Sequence, residues 1–224
     1  MRWVVDDMTR EITHHLTDAL LMGYAAGALP EAFDLVIATH LSLCDACRAR
    51  AAGFEMLGGA VLDEAAGPVA PLADDSLEAT LARIAEGPAA PAAAARRDPV
   101  LPVPLAEYVG GGVEAIRWRR VGMGVRQAIL PTSREARARL LYIPAGAAMP
   151  DHGHTGTEIT LVLQGAFQDD DGYYARGDVE VATEEVDHTP VADFGEDCIC
   201  LAVTDAPLRF NALLPRLAQP FLRI

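Results

Sequence analysis

The chain has 224 residues, room for one large domain or two smaller ones, and its 51% apolar content is too high for a disordered chain. Its 18 basic residues, all arginine, stand against 32 acidic ones for a net charge of −14. That balance argues against DNA or RNA as a direct partner, because phosphate contacts need a basic face, and it suits a partner that is itself basic. The start, MRWVVDDMTREITHH, has only a short apolar stretch before two aspartates, and no window reaches the length of a transmembrane helix. A soluble cytoplasmic protein without membrane contact is expected.

Residues 16–86 read as helical. DALLMGYAAGAL is apolar and rich in Ala and Leu, with Asp18 near its start and Pro30 to stop it. EAFDLVIATHLSL follows, with Pro30 as the first-turn proline of a new helix. DACRARAAGFEMLGGAVLDEAAG predicts a third helix, weakened by Gly53, Gly58 and Gly59. DDSLEATLARIAEG closes the set as an amphipathic helix with Leu77, Leu81 and Ile84 at helical spacing. This last helix is poorly tied to the rest and can pack on its own domain or on a partner.

GPAAPAAAARRDPVLPVP (87–104) reads as a semi-rigid linker joining two domains with independent cores. Beyond it the pattern turns to short runs separated by Gly and Asp: RWRRVG, VRQAIL, ARLLYIP, EITLVLQG, DVEVA, CICLAV and PLRFNALL. Apolar/polar alternation with regular turn signals predicts an all-β sandwich or barrel. No internal repeat is visible. The expected organisation is therefore multi-domain: an all-α bundle over 10–86, the Pro/Ala-rich linker over 87–104 and an all-β barrel over 105–224.

Five of the six histidines fall into two clusters with metal-ligand spacing, and only His14 is left over. In the first, His40, Cys44 and Cys47 stand at i, i+4 and i+7, which share one face of a continuous helix; a turn at the Cys-x-x-Cys would bring the thiolates together equally well. Four cysteines allow two disulfides in an oxidising compartment, but a Cys-x-x-Cys close after a His points to metal instead. Three ligands do not close a tetrahedral site, so a fourth is required; His15 is the natural candidate and His14 its competitor. Two buried cysteines and a surface His in a plain bundle are the bland alternative. A thin helical core gains folding energy from a metal.

These residues resemble a known family. His15…His40-x3-Cys44-x2-Cys47 looks like the zinc-binding anti-sigma domain, an upstream His followed by His-x3-Cys-x2-Cys, and TDALLMGYAAGALPEAFDLVIATHLSLCDACRAR is similar to the ChrR-type anti-sigma factors of alphaproteobacteria. The resemblance implies that the helical domain binds an extracytoplasmic-function sigma factor and hides the surfaces with which sigma meets core RNA polymerase.

The second cluster is His152, His154, Glu158 and His188. Gly146-x5-His152-x-His154-x3-Glu158-x6-Gly165 matches the first cupin motif at every position, which implies a double-stranded β-helix barrel. On a strand, His152 and His154 face the same way, into one interior. The second cupin motif is degenerate: Gly177 and His188 stand at the right spacing, but Thr183, Glu185 and Ala192 replace its usual Pro, Gly and Asn. The four ligands are complete, and the bland alternative is a cupin that keeps its fold without a metal. The resemblance implies two zinc ions per chain, one in each domain, and a sensory barrel needed for release of sigma under singlet-oxygen stress. Zinc has no redox chemistry, so such a site would respond through its ligands or a bound small molecule. Cys198-x-Cys200 places two thiols on one side of a strand, more simply read as core packing than as an oxidisable pair.

The expected function is thus an anti-sigma factor, not an enzyme, with no catalytic residue. The runner-up is a metal-dependent cupin enzyme, dioxygenase-like, with an N-terminal zinc docking module; a third reading is a cupin that binds a small ligand controlling the helical domain. No general acid or base stands out beyond the metal ligands, which favours the first.

Overall fold

The computed structural model describes residues 11–67, 71–87, 98–212 and 219. Residue 10, positions 88–97 of the expected linker and most of the tail beyond 212 lie outside the described residues.

Among the described residues four helices come first: α1 (Asp18–Ala25), α2 (Glu31–Leu41), α3 (Asp45–Ala65) and α4 (Ser76–Ala85). The Thr17 side chain accepts from Leu20 N and caps α1, while Pro30 sits at the N-cap of α2 with extended backbone, one position before the helix proper. Cys44 is the N-cap of α3, its sulfur accepting from Cys47 N. Gly53, Gly58 and Gly59 do not break α3, which continues as one helix of 21 residues. Nothing surrounds these glycines that would penalise a side chain, so they cost propensity without redirecting the chain. Among the described residues no helix is long and apolar enough to cross a membrane.

The C-terminal part is a cupin-like β fold. After a short helix α5 (Val103–Val109) come β1 (Arg119–Gly122), β2 (Val125–Ile129), β3 (Arg137–Ile143), β4 (His152–Gly153), β5 (Glu158–Gln164) and β6 (Ala166–Gln168). They are followed by β7 (Tyr173–Ala175), β8 (Val179–Ala182), β9 (Asp187–His188), β10 (Val191–Ala192), β11 (Cys198–Thr204) and β12 (Arg209–Phe210). A six-stranded antiparallel sheet runs β1-β2-β3-β11-β5-β8, and two small sheets, β10-β6-β7 and β12-β4-β9, complete the barrel wall. Two of the motif glycines show why the motif demands them. Gly165 turns the chain at φ +65°, where a Cβ would lie 2.7 Å from the Asp197 carbonyl oxygen. Gly177 has φ +90°, and a Cβ there would strike the Ile12 side chain at 2.6 Å.

That last contact crosses from the helical part to the barrel, and it is one of many. The two parts do not have independent cores. Leu16, Leu21, Phe33, Val36 and Ile37 belong to the same buried cluster as Leu140, Ile159, Leu161 and Leu201 of the sheet. Helix α2 lies against β11, β5 and β3 on one side and against α1 and α3 on the other. This explains why α2 is apolar nearly all round and not amphipathic. The expected linker also differs at its C-terminal end: Leu101 and Leu105 are buried, α5 packs on α2, and the Asp98 carboxylate accepts from the amides of Val100, Leu101 and Val113. Glu31 at the start of α2 accepts from Tyr108 Oη at 2.7 Å and from Ser133 N at 2.6 Å, pinning the helix to the barrel side. Composition alone marked 98–104 as linker because proline recurs in it and it continues the Pro/Ala-rich run before it; Leu101, with Leu105 just beyond, suffices to anchor it.

Candidate functional site

The first cluster forms where the end of α2, the start of α3 and the segment before α1 meet. One ligand atom each from His15, His40, Cys44 and Cys47 lies within 4.8 Å of all the others. His15 Nδ1 stands 3.3 Å from Cys44 Sγ and 3.6 Å from Cys47 Sγ. His40 is fully buried; its Nδ1–H donates to the Gly177 carbonyl at 2.9 Å, which leaves the Nε2 lone pair buried without a partner. Burial pulls His40 down from 6.5 to about 4 and pushes the Cys47 thiol up, so both of these groups are neutral in the metal-free protein. An orphaned imidazole nitrogen beside two thiols and a second imidazole is the donor set of a closed tetrahedral metal site. His14 is not part of it: its ring packs on Tyr174 at 4.4 Å and its Nδ1 lies 3.5 Å from Asp178 Oδ1.

The second cluster lies inside the barrel, where β4 pairs with β9 so that His152 and His188 stand opposite each other. His152 Nε2 and His154 Nε2 each approach His188 Nε2 to 3.3 Å. His152 Nδ1–H donates to the Pro150 carbonyl at 2.8 Å, and His188 Nδ1–H donates to Asp169 Oδ2 at 2.8 Å. Both Nε2 atoms therefore carry lone pairs that face each other, an arrangement that needs a proton or a metal ion between them. Burial holds His152 and His154 below their ordinary values. Burial opposes charge on His188 too, yet Glu180 and Asp169 raise it to about 9. In the metal-free protein the shared proton thus sits on His188, and a metal ion would take its place.

Glu158 stands apart from this triad. It lies at the start of β5, lines the same cavity and accepts from Thr160 Oγ1 at 3.3 Å, but its carboxylate is not among the atoms that converge within 4.8 Å. In its place the structure puts two acids behind His188, on the side away from the triad. Asp169 is 2.8 Å and Glu180 Oε1 3.0 Å from His188 Nδ1. Against burial, hydrogen bonds from Glu180 and His188 keep the Asp169 carboxyl low, whereas burial raises Glu180 to about 7. Sequence reasoning missed both, since Asp169 hides in a run of aspartates and Glu180 sits in VEVA, where alternation would turn it outward. A glutamate buried in an apolar strand was the available signal. Cys198 and Cys200 are buried free thiols within the core beside β3 and β5, in keeping with packing.

The sequence profile of the ChrR Cupin-like domain matches residues 108–208. The anti-sigma-E factor ChrR of Cereibacter sphaeroides is 60% identical over 213 residues, covering 95% of this chain and 99% of that protein. The chain belongs to the ChrR family of anti-sigma factors. The crystal structure of Rhodobacter sphaeroides SigE in complex with the anti-sigma ChrR resembles it with a TM-score of 0.75 and 55% identity, over 87% of this chain and 100% of that one. Membership makes the role of the chain regulatory rather than enzymatic, so the dioxygenase-like alternative falls away.

Proposed function

We propose that the chain sequesters an extracytoplasmic-function sigma factor through its helical part, that each cluster holds one zinc ion, and that the barrel governs release under oxidative stress, singlet oxygen in particular. The observation that carries the partner assignment is an apolar surface on the later helices that none of the described residues covers. Met56 is 78% exposed and Leu62 73% on the second half of α3; on α4 Leu77, Leu81 and Ile84 are exposed and no residue is buried. Apolar residues exposed together in this way mark a protein partner rather than a solvated face. The co-crystallised SigE in the similar ChrR structure supports a sigma factor as that partner.

The N-terminal zinc would be held by His15, His40, Cys44 and Cys47, with a structural role. In the barrel His152, His154 and His188 supply three nitrogens, and Glu158 completes the set after a change of rotamer; such a site keeps room for water or a small molecule. The helical domain (10–86), joining segment (87–104) and barrel (105–224) then act as binder, tether and sensor. Contact between α2 and the barrel gives the sensor a direct route to the binder, since a signal must change the relative stability of free and sigma-bound states.

The test is co-purification with the sigma factor and a sigma-dependent reporter. Leu77→Asp with Leu81→Asp should abolish binding and leave target genes constitutively on without lowering the melting temperature, because both positions are exposed. Retained binding would place the sigma contact elsewhere. His152→Ala, His154→Ala, Glu158→Ala and His188→Ala should each keep repression but block induction by photosensitiser and light. Normal induction in all four would remove the barrel metal from signalling.

A further inference from the structure

The barrel encloses a cavity of about 310 Å³ whose wall is apolar over most of its extent, with Val125, Leu141, Ile143, Met149, Phe167 and Phe210 among its side chains. Beside the acids Glu158 and Glu180 and the imidazoles His152 and His188, one guanidinium faces into it. Arg139 alternates with Leu141 and Ile143 on β3, so all three point to the interior, and it pairs across the sheet with Ala202 of β11 and Ile129 of β2. Only 4% of Arg139 is exposed. Among the described residues its guanidinium makes neither a hydrogen bond nor an ion pair; Glu158 is the carboxylate that acts on it from a distance. A guanidinium carries five N–H donors and does not shed its proton, so leaving it buried and unmatched is costly. Burial indeed pulls it below its ordinary value. The core offers no reason for an arginine here: an aliphatic residue would fill the same strand position at no such cost.

We propose that this cavity is a binding site for a small amphipathic organic acid, its carboxylate pairing with Arg139 and its apolar body lying along the wall toward Phe167 and Phe210. A planar fork of donors matches a carboxylate with two parallel hydrogen bonds, and desolvation inside the barrel strengthens them. The volume is that of a small-ligand pocket, and a mostly apolar wall with a few convergent polar groups is the usual form of such sites. His152 and His188 line the same space, so the ligand lies beside the candidate barrel metal. The inference adds a ligand class to the sensory reading but does not depend on it, because binding can be read without sigma factor or induction.

The experiment is titration calorimetry of the purified full chain with octanoate and, separately, with 1-octanol, an uncharged probe of the same length. Octanoate should bind with one-to-one stoichiometry and octanol roughly tenfold or more weakly. Arg139→Met should lower octanoate affinity roughly ten- to a hundredfold and leave that for octanol unchanged. Ala202→Leu retains the charge but fills the space beside it, and should weaken both probes. Circular dichroism of each variant verifies its fold; should Arg139→Met fail to fold, Ala202→Leu and the octanoate-to-octanol ratio of the native chain still decide. Equal affinity for the two probes, no octanoate binding to the native chain, or unchanged octanoate binding in Arg139→Met would overturn the proposal.

Discussion

Replacing Asp178 tests how firmly the segment before α1 is held on the barrel. Its carboxylate is buried and accepts from Thr13 N at 2.7 Å and His14 N at 2.8 Å through Oδ1, and from Ala175 N at 3.0 Å through Oδ2. The adjacent Val179 N donates to the His14 carbonyl, and the Gly177 carbonyl accepts from His40. In Asp178→Ala the Ala175 amide is left buried without a partner, at about 2 kcal/mol. The Thr13 and His14 amides are nearer the surface and can turn to water, so each contributes only about 0.5 kcal/mol. The sum is about 3 kcal/mol, which for a chain of this size lowers the melting temperature by roughly 6–12 °C. Asp178→Asn keeps an acceptor for Thr13 and His14 but sets a donor against Ala175 N–H, so it should fall between wild type and Ala. Because His15 follows directly on this segment, the Ala variant should also yield one equivalent of zinc to a colorimetric chelator faster than wild type. Thermal unfolding and chelator kinetics measure the two effects. A melting temperature within a degree of wild type, with unchanged zinc release, would refute the view that Asp178 docks the N-terminal ligand.

Three further outcomes are expected. Metal analysis of the full chain should give two zinc ions, and Cys44→Ser with Cys47→Ser should give one, together with a lower melting temperature. A fragment ending near residue 95 should still bind sigma, since the exposed faces of α3 and α4 remain, but it should melt below the full chain because the barrel side of α2 loses its cover; equal melting would contradict a shared core. In metal-free protein His40 is held neutral by burial, with a folded value of about 4 against 6.5 unfolded. The unfolded chain then binds the proton that the folded chain refuses, so His40 leaves stability untouched above pH 6.5 and removes up to about 3 kcal/mol as pH falls from 6.5 to 4. Denaturant unfolding across that range should show a smaller drop in His40→Gln than in wild type.

The two clusters were legible in the sequence because their ligands are close along the chain or bound to local geometry. Cys44 and Cys47 share a helix start, His40 lies one turn earlier, and His152 and His154 flank a single strand residue. Glycines at 165 and 177 marked turns whose backbone only glycine takes easily, and the change from helical to alternating pattern placed the barrel after the helices. What the tertiary structure decided depends on residues far apart in sequence. The choice of His15 over His14 follows from Asp178 and Tyr174, which capture His14 on the barrel surface. Asp169 and Glu180 became partners of His188 only when β8 and the β6–β7 turn closed around β9, and Arg139 acquired its cavity only when the sheet curled. The expectation of two separate cores failed for the same reason: composition shows a Pro/Ala tether, whereas the burial of α2 between helices and sheet depends on faces that meet only in three dimensions.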